Sequence, residues 1–382
     1  MPVDVPRLED LEANLGSLAG KRILVRCDFN VPLRDGVIAD DLRIKAAMPT
    51  IGWLTERGAT VVTCSHLGRP KGAPDPAYSV EPVRRRLAEL APGVELLENL
   101  RFDPGETGDS AEFVAGLVEG FDGYVNDAFG ASHRAHASIV GPPRTLPSAA
   151  GRLLEREVEV LGGMRRAPRR PFLAILGGAK VSDKLGVIEA LLDVVDRMII
   201  GGGMCFTFFK ALGHPIGDSL CEDDQLERCV MLMGKAKDKI LLPSDVTALS
   251  PDGELFSDRG EVRQMGRSLP DGWKGLDIGP GSAAEFDDAI HEARTVFWNG
   301  PMGLFEDARF QGGTRSVGQS LADSKAFTVV GGGDSAAAAA EFGLAPYMDH
   351  ISTGGGASLE LLENGDLPGL AALRASIPGG SA

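Results

Sequence analysis

The stretch PFLAILGGAKVSDKLGVIEAL, residues 171–191, decides the fold class of this chain. Five apolar residues (172–176) end at two glycines, and an amphipathic stretch follows at once. A short apolar run followed by a longer amphipathic segment is typical of a buried parallel strand and its covering helix. The same alternation recurs from end to end, so the sequence predicts an α/β fold.

Other short β-rich runs give the remaining expected strands. They are residues 21–26, 60–64, 94–97 and 122–126 in the first half, and 172–176, 197–200, 239–242, 275–278, 295–298, 327–330 and 350–353 in the second. A chain of 382 residues exceeds the length at which one core stops growing, roughly 250–300 residues. We therefore expect two doubly wound parallel-sheet domains joined by a hinge helix, with a cleft between them.

The domain boundary is expected near residue 168. Residues 148–164 are predicted to form the hinge helix, and the prolines of the following RRAPRRP stretch end it. The first domain would then span 1–167 and the second 168–355. We expect the segment 356–382 to pack back toward the first domain.

Charge and composition exclude several classes of protein. The formal net charge of −15 argues against wholesale binding of nucleic acid or of an anionic membrane. No uncharged apolar stretch of about 18 residues could span a bilayer, the N-terminus shows no signal-peptide pattern, and the five cysteines form no CxxC pair. We expect a cytoplasmic protein with free thiols.

Polar and cationic residues follow the strands of the first half. They lie in Cys27–Asn30, Ser65–Arg69, Glu98–Arg101 and Asp127–Arg134, with Arg43 just beyond the first loop. Because ligands of α/β sheets bind beyond the carboxyl ends of the strands, these cations predict a site for a small anion such as a phosphorylated acid. For any single arginine, pairing with Asp28, Glu98 or Asp127 remains open as an alternative.

Glycine runs follow the strands of the second half instead. They are Gly177–Gly178, Gly201–Gly203, Gly331–Gly333 and Gly354–Gly356. Glycine lets backbone amides approach a phosphate at a helix start, so this half is predicted to bind a nucleotide. Asp334 is the best candidate for Mg²⁺, which favours one or two carboxylates plus phosphate oxygens. No P-loop motif is present, whereas Gly279–Ala284 fits the weak GxGxxA pattern and leaves an NAD-dependent dehydrogenase as an alternative.

An anion site in one half and a nucleotide site in the other predict phosphoryl transfer. A carboxylate or phosphate acceptor is already ionised, so the site needs positioned cations and amides but no general base. His133 and His136 lack a third metal ligand nearby in sequence, and ordinary hydrogen bonding is the expected role of both.

The chain closely resembles phosphoglycerate kinase. The similarity runs from about residue 20 to about residue 370 and rests on RCDFNVPL, SHLGRPKG, ENLRF, NDAFGASHRAHAS, PFLAILGGAKVSDKLGVIEAL, WNGPMGLFE, GGGDS and STGGGASLELLE. The resemblance implies a monomeric glycolytic enzyme that transfers phosphoryl between 1,3-bisphosphoglycerate and ADP with Mg²⁺. A non-catalytic nucleotide-binding protein is the alternative from another class.

The resemblance also implies roles for individual residues. The expected phosphoglycerate ligands are Asp28, Asn30, Arg43, His66, Arg69, Arg134 and Arg170. The expected catalytic residues are Arg43, Lys180, Gly333 and Gly356. The expected nucleotide ligands are Lys184, Gly203, Glu306, Gly332, Gly333, Asp334 and Ser335, with Asp334 on the metal.

Three departures from the family pattern are visible. Between Leu90 and Leu96 a further strand and helix that the family usually carries are missing, so the first sheet is expected to be smaller, with reduced stability or altered packing. Ser335 replaces a common threonine, and LLENGDLPG alters only the C-terminal turn. We expect none of the three to abolish activity.

Overall fold

The computed structural model describes residues 5–376 and divides them into two compact units. One unit contains the chain up to Gly163 together with the residues from Asn364 onward, and the other spans Met164–Glu363. The limit at Met164 lies a few residues before the expected boundary at 168. The limit at Glu363 lies a few residues after the expected boundary at 356. Residues 1–4 of the expected first domain and 377–382 of the expected C-terminal segment lie outside the described residues.

The first unit is built on a five-stranded parallel sheet of order β5-β4-β1-β6-β7. A two-stranded antiparallel hairpin, β2 and β3, follows the first strand and was not predicted. The strands are β1 (Arg22–Arg26), β2 (Leu33–Arg34), β3 (Val37–Ile38), β4 (Thr60–Cys64), β5 (Glu95–Leu96), β6 (Gly123–Asn126) and β7 (Ser148–Ala150). The edge strand β5 has only two residues and directly follows the shortened segment.

Helices cover this sheet and bury its central strand. They are α1 (Leu8–Leu15), α2 (Leu42–Ala46), α3 (Met48–Glu56), α4 (Glu81–Leu90), α5 (Pro104–Thr107), α6 (Ala111–Val118) and α7 (Ala137–Val140). Ile23 and Val25 of β1 join Ile51 and Leu54 of α3 in one core cluster, and all four are essentially inaccessible to solvent. Full burial of such side chains stabilises a fold by roughly 1.5–3 kcal/mol each.

The helix that was predicted to be the hinge begins later than expected. Residues 148–150 are strand β7, paired with β6, and helix α8 runs from Arg152 to Arg166. Ser148, Ala149 and Ala150 are small enough for a buried edge of the sheet, although their composition suggested helix. Buried Asp127, just after β6, accepts the amide of Leu153 at 2.9 Å, and the Thr50 hydroxyl accepts that of Arg152 at 2.8 Å. These bonds satisfy helix-start donors and fix where α8 begins.

The second unit contains a six-stranded parallel sheet of order β10-β9-β8-β14-β15-β16. A separate antiparallel sheet has the strand order β12-β11-β13. Its three strands come between β10 and β14 in the sequence. The strands are β8 (Phe172–Leu176), β9 (Arg197–Ile200), β10 (Ile240–Leu241), β11 (Asp245–Leu249), β12 (Val262–Gly266), β13 (Lys274–Ile278), β14 (Thr295–Asn299), β15 (Phe327–Gly331) and β16 (His350–Ile351). The predicted strand at 275–278 thus belongs to the antiparallel sheet, whose other two strands were missed.

Helices α9 to α15 belong to this second unit, except for the last residue of α15. They are α9 (Leu185–Leu192), α10 (Cys205–Ala211), α11 (Leu226–Ala236), α12 (Pro280–Glu292), α13 (Gly312–Asp323), α14 (Gly333–Glu341) and α15 (Gly355–Asn364). Helix α16 (Pro368–Ala375) packs on the first unit, where the amide of Gly369 donates to the carbonyl of Ser132 at 2.9 Å. None of the helices in residues 5–376 is long and apolar enough to cross a membrane.

We predict that Gly151→Ala destabilises the chain because its new methyl group would lie 2.2 Å from Oδ1 of Asp127. Overpacking of this kind costs roughly 1–3 kcal/mol. Gly163→Ala is the matched control, since Gly163 lies within α8 and a Cβ there meets nothing within 4 Å. The thermal unfolding midpoint should fall for Gly151→Ala and stay or rise for Gly163→Ala; equal midpoints would contradict the capping account.

A second prediction concerns the charge on Asp127. Burial raises the pKa of this carboxyl from 3.8 to about 7, and its Oδ2 has no hydrogen-bond partner. A raised pKa favours the folded state at low pH, and this contribution is lost progressively between about pH 4 and pH 7. An asparagine at this position does not titrate, so the Asp127→Asn variant does not lose this stability as the pH rises. The difference between the unfolding midpoint of the variant and that of the parent should therefore increase from pH 5 to pH 8. A pH-independent difference would contradict it.

Candidate active site

The predicted anion ligands of the first unit follow the carboxyl ends of β1, β4 and β6. Asp28 and Asn30 follow β1, His66 and Arg69 follow β4, and Arg134 follows β6. Asn30 accepts the amide of Gly68 at 2.9 Å through Oδ1, which joins the first two loops. Arg43, on α2, donates to Oδ2 of Asp28 at 2.9 Å. The pairing alternative therefore holds for Arg43, although a third of its side chain stays exposed.

A basic pocket of about 520 Å³ lies at this edge of the sheet. Five of its lining residues carry cationic or imidazole side chains: Arg69, Lys71, Arg101, Arg134 and His136. The lining residues that the structure describes include no carboxylate. Such a concentration of guanidinium groups fits a small anion with several oxygens, because each group offers paired donors to carboxylate or phosphate.

Arg101 lies in one of the four loops whose cations predicted an anion site, but it was not among the individually predicted phosphoglycerate ligands. It stands in a 3₁₀ turn after β5, where Nη1 donates to the carbonyl of Gly68 at 2.9 Å. Burial, together with the charges of Arg26 and Arg134, lowers the pKa of Arg101 to about 10. It remains charged at neutral pH and has no carboxylate hydrogen-bonded to it among the described residues. Its position in the ENLRF motif directly after a strand was the available signal.

Arg170, a predicted phosphoglycerate ligand, lies in the second unit just before β8. Its Nη1 donates to Oδ1 of Asp196 at 2.6 Å and its Nη2 to the carbonyl of Val194 at 3.0 Å. Asp196 also accepts the amide of Phe172, the first residue of β8. Arg170 therefore ties down the amino end of a strand, opposite to the edge at which ligands bind.

In the second unit, the loops after β8, β9 and β14 meet backbone to backbone. Gly202 has φ +65° and a Cβ there would lie 2.6 Å from the amide nitrogen of Gly178. At Gly177 a Cβ would lie 2.1 Å from the carbonyl oxygen of Pro301. Both positions require glycine because the loops pack closely against each other. Close packing therefore accounts for the glycine runs 177–178 and 201–203.

Lys184 and Asn299 form the polar centre of these loops. Lys184 donates through Nζ to the carbonyl oxygen of Asn299 at 2.9 Å and also to its Oδ1. Burial lowers the pKa of Lys184 to about 8, against the opposing effect of Asp334 and Asp183. The sequence did not select Asn299, whose only signal is its place at the end of β14.

The starts of helices α14 and α15 lie together at the same edge. A Cβ at Gly355 would meet the Cα of Gly332 at 2.9 Å. Gly333 and Asp334 occupy the first turn of α14 and are exposed, whereas the buried hydroxyl of Ser335 accepts the amide of Gly300. Ser335 thus orders a neighbouring loop rather than facing solvent.

The other predicted residues of the second unit are placed as follows. Lys180, Glu306 and Gly356 are exposed, and Gly203 is half-buried, with a Cβ there lying 3.1 Å from the carbonyl oxygen of Ala179. No cluster of three or more metal-binding side chains occurs among residues 5–376. A lone carboxylate such as Asp334 fits Mg²⁺ that arrives with a nucleotide, because phosphate oxygens and water complete its coordination.

The start of α12 does not support the dehydrogenase alternative. The carboxylate of Asp245 accepts the amides of Gly281 at 3.0 Å and Ser282 at 2.6 Å. The protein's own anion therefore occupies the helix start to which a dinucleotide pyrophosphate would bind.

Comparison with known proteins agrees with this geometry. The family model described as phosphoglycerate kinase matches residues 13–95 and 91–365, in two parts that meet at the shortened segment. The phosphoglycerate kinase of Rubrobacter xylanophilus is 51% identical, and the match covers 97% of this chain and 98% of that protein. The phosphoglycerate kinase of Salinispora tropica is 52% identical, with 96% and 98% covered.

Solved structures give the same result. The phosphoglycerate kinase from Coxiella burnetii is similar with a TM-score of 0.87 and 37% identity, covering 97% of this chain and 99% of that one. The phosphoglycerate kinase from Pyrococcus horikoshii OT3 is similar with a TM-score of 0.83 and 32% identity, with the same coverage.

Proposed function

Because the chain belongs to the phosphoglycerate kinase family, and is thus a kinase that acts on a carboxyl group, we propose that its two units divide the reaction. The reaction is reversible phosphoryl transfer between 1,3-bisphosphoglycerate and ADP, which gives 3-phosphoglycerate and ATP. The first unit would hold the phosphoglycerate and the second the nucleotide. The observation that carries this division is the carboxylate-free basic pocket of the first unit.

The phosphoglycerate ligands in this proposal are the predicted residues of the first unit, with Arg101 in place of Arg170. Arg69, Arg101 and Arg134 line one pocket and supply charge for a phosphate. His66 and Asn30 lie on the loops that the Asn30–Gly68 bond joins. Arg43 would exchange its bond to Asp28 for the transferred group.

The nucleotide ligands would come from the loops of the second unit. Lys184, Gly203, Glu306 and the stretch Gly332–Ser335 are the proposed set, with Ser335 acting through the loop that it orders. Asp334 would hold Mg²⁺, which neutralises charge on the nucleotide phosphates when it is bound. The amides at the starts of α14 and α15, Gly333 and Gly356 among them, would stabilise the group in transfer.

The chemistry needs no general base. In the direction of ATP synthesis, an oxygen of the ADP β-phosphate attacks the acyl phosphorus, and the bond between phosphorus and the carboxyl oxygen breaks. The electron pair of that bond stays on the carboxylate of 3-phosphoglycerate, so no proton moves. Lys180 and Arg43 would stabilise the charge spread over the transferred oxygens. Direct transfer requires the two ligands to meet, and we propose closure about α8 for this step.

We further propose that the enzyme works as a cytoplasmic monomer without nucleic-acid or membrane partners. The net charge of −15 supports the absence of nucleic-acid and membrane partners, because a negatively charged protein repels other polyanions. A single species of about 40 kDa in solution would support the monomer.

Turnover of 3-phosphoglycerate with MgATP, measured by consumption of the 1,3-bisphosphoglycerate formed, tests the proposed function. We expect activity that disappears with a chelator of divalent cations and returns with Mg²⁺. A folded, ATP-binding sample without turnover would instead support the non-catalytic alternative.

Lys180→Met should lower kcat by about 100-fold or more and leave nucleotide affinity within about threefold, because the ammonium acts on the transition state. Lys325→Met is the control. This exposed lysine lies before the amino end of β15, whereas the proposed nucleotide loop follows the carboxyl end of that strand. Arg43→Ala should likewise act mainly on kcat, whereas a change confined to KM would limit Arg43 to ground-state binding.

Arg101→Gln should raise the Kd for 3-phosphoglycerate about tenfold or more, because one charge-assisted hydrogen bond is lost from the pocket. The matched Arg170→Gln variant should change this Kd less than about twofold and cost at most about 1 kcal/mol of stability, as expected for an exposed ion pair. Titration calorimetry measures both. A larger effect at Arg170 would reverse the assignment.

A further inference from the structure

Beneath the basic pocket of the first unit lies a buried polar network centred on Arg26. This arginine ends β1 and is fully buried. Its Nε donates to Oγ of Ser138 at 2.8 Å, its Nη1 to the carbonyl of Cys27, and its Nη2 lies 3.1 Å from Nδ1 of His66. The guanidinium therefore contacts helix α7, the loop after β4 and the backbone of the next residue in the chain.

Glu106 balances the charge of Arg26 within the same network. It is fully buried, and its Oε1 lies 3.9 Å from Nη2 of Arg26. Ser138 links the two, since its hydroxyl donates to Oε1 of Glu106 at 2.7 Å and its amide to Oε2 at 2.9 Å. The hydroxyl of Tyr124 donates to the carbonyl of Ser138 at 2.7 Å and holds that residue in place. The direction of the guanidinium is fixed by its own contacts with Ser138 and Glu106.

The contact between Arg26 and His66 determines which imidazole nitrogen carries the proton. A guanidinium is only a donor and does not lose its proton in proteins. Nδ1 of His66 must therefore be the acceptor, and the ring proton is left on Nε2. Burial and positive neighbours also hold the pKa of His66 well below 6.5. The groups that face it are Arg26 of β1, Arg43 of α2, Arg101 after β5 and His136 before α7.

We propose that Arg26 is a positioning residue that holds His66 as the neutral, Nε2-protonated tautomer, so that the imidazole offers an N–H donor to the anionic substrate. The inference rests on the proposed role of His66 as a phosphoglycerate ligand. The other tautomer would turn a lone pair toward an anion and repel it. A ring that stays neutral also keeps substrate affinity independent of histidine titration near neutral pH.

Nitrogen-15 NMR of the wild-type chain, labelled at histidine, tests the tautomer directly. The His66 signals are identified by their loss in His66→Gln. We expect a pyridine-type Nδ1 and a protonated, pyrrole-type Nε2 that do not titrate between about pH 5.5 and pH 8. A protonated Nδ1, or titration within this range, would overturn the proposal. Because this spectrum needs no turnover, it separates failure of the inference from failure of the proposed function.

Arg26→Lys tests the effect on binding while keeping a positive charge beside Glu106. We expect a mixture of His66 tautomers, a rise of about tenfold in the Kd for 3-phosphoglycerate, and an affinity that now varies with pH. Saturating kcat and the Kd for ATP should stay within about twofold. An unchanged tautomer and an unchanged Kd would contradict the role of Arg26.

Tyr124→Phe is the matched control, because Tyr124 bonds to Ser138 in the same buried network but not to His66 or Arg26. It should lower the unfolding midpoint without altering the His66 tautomer or the Kd for 3-phosphoglycerate. If Tyr124→Phe reproduced both changes of Arg26→Lys, the effect would be structural and the proposal would fail. If Arg26→Lys does not fold, the wild-type spectrum still decides.

Discussion

Parallel pairing of the central strands is the constraint on which the site depends. In the first unit β1 pairs in parallel with β4 and β6, and in the second β8 pairs in parallel with β9 and β14. Parallel strands all end at the same edge of a sheet, so residues that follow different strands are brought together. An antiparallel arrangement would distribute the same residues over two edges.

The two units use this shared edge in different ways. The first unit places guanidinium groups there and keeps carboxylates out of the pocket, which attracts an anion locally despite a net charge of −15. The second unit places glycines there, so its backbone and two helix starts lie close together at that edge. Fixed charges and fixed dipoles of this kind suit a transfer in which charge moves but no proton does.

Burial beneath the first site adds a second level of control. Arg26 and Glu106 form an ion pair at positions without solvent contact, and burial of such a pair is costly unless both partners are bonded. Ser138 of α7 bonds to both of them, and Arg26 also contacts His66 in the loop after β4 directly. The network thus links the packing of the core to the orientation of His66.

Much of the fold was predictable because the strand signal is local. The apolar runs at 172–176, 197–200, 295–298 and 327–330 became strands of the parallel sheet, within one residue at their ends. Residues 148–150 were missed because small residues have no apolar periodicity, and the strand formed through pairing with β6. β11 and β12 were missed because long-range antiparallel pairing leaves little local signal.

Within the site, sequence order did not reveal the partners of individual side chains. Arg170 was predicted as a phosphoglycerate ligand although Asp196 binds it, and Arg101 was predicted only as a cation of its loop although it lines the basic pocket. The hydroxyl of Ser335 accepts the amide of Gly300, a contact that the sequence did not reveal either. Residue type and position after a strand predict the region of a site, whereas tertiary contacts decide which side chains are available.

The division of labour between the units is tested most directly by amide NMR with each ligand separately. We expect 3-phosphoglycerate to shift the signals of Gly68 and Arg101, and ADP with Mg²⁺ to shift those of Gly332, Gly333 and Asp334. Shifts of the first group by the nucleotide alone, or of the second group by 3-phosphoglycerate alone, would contradict it.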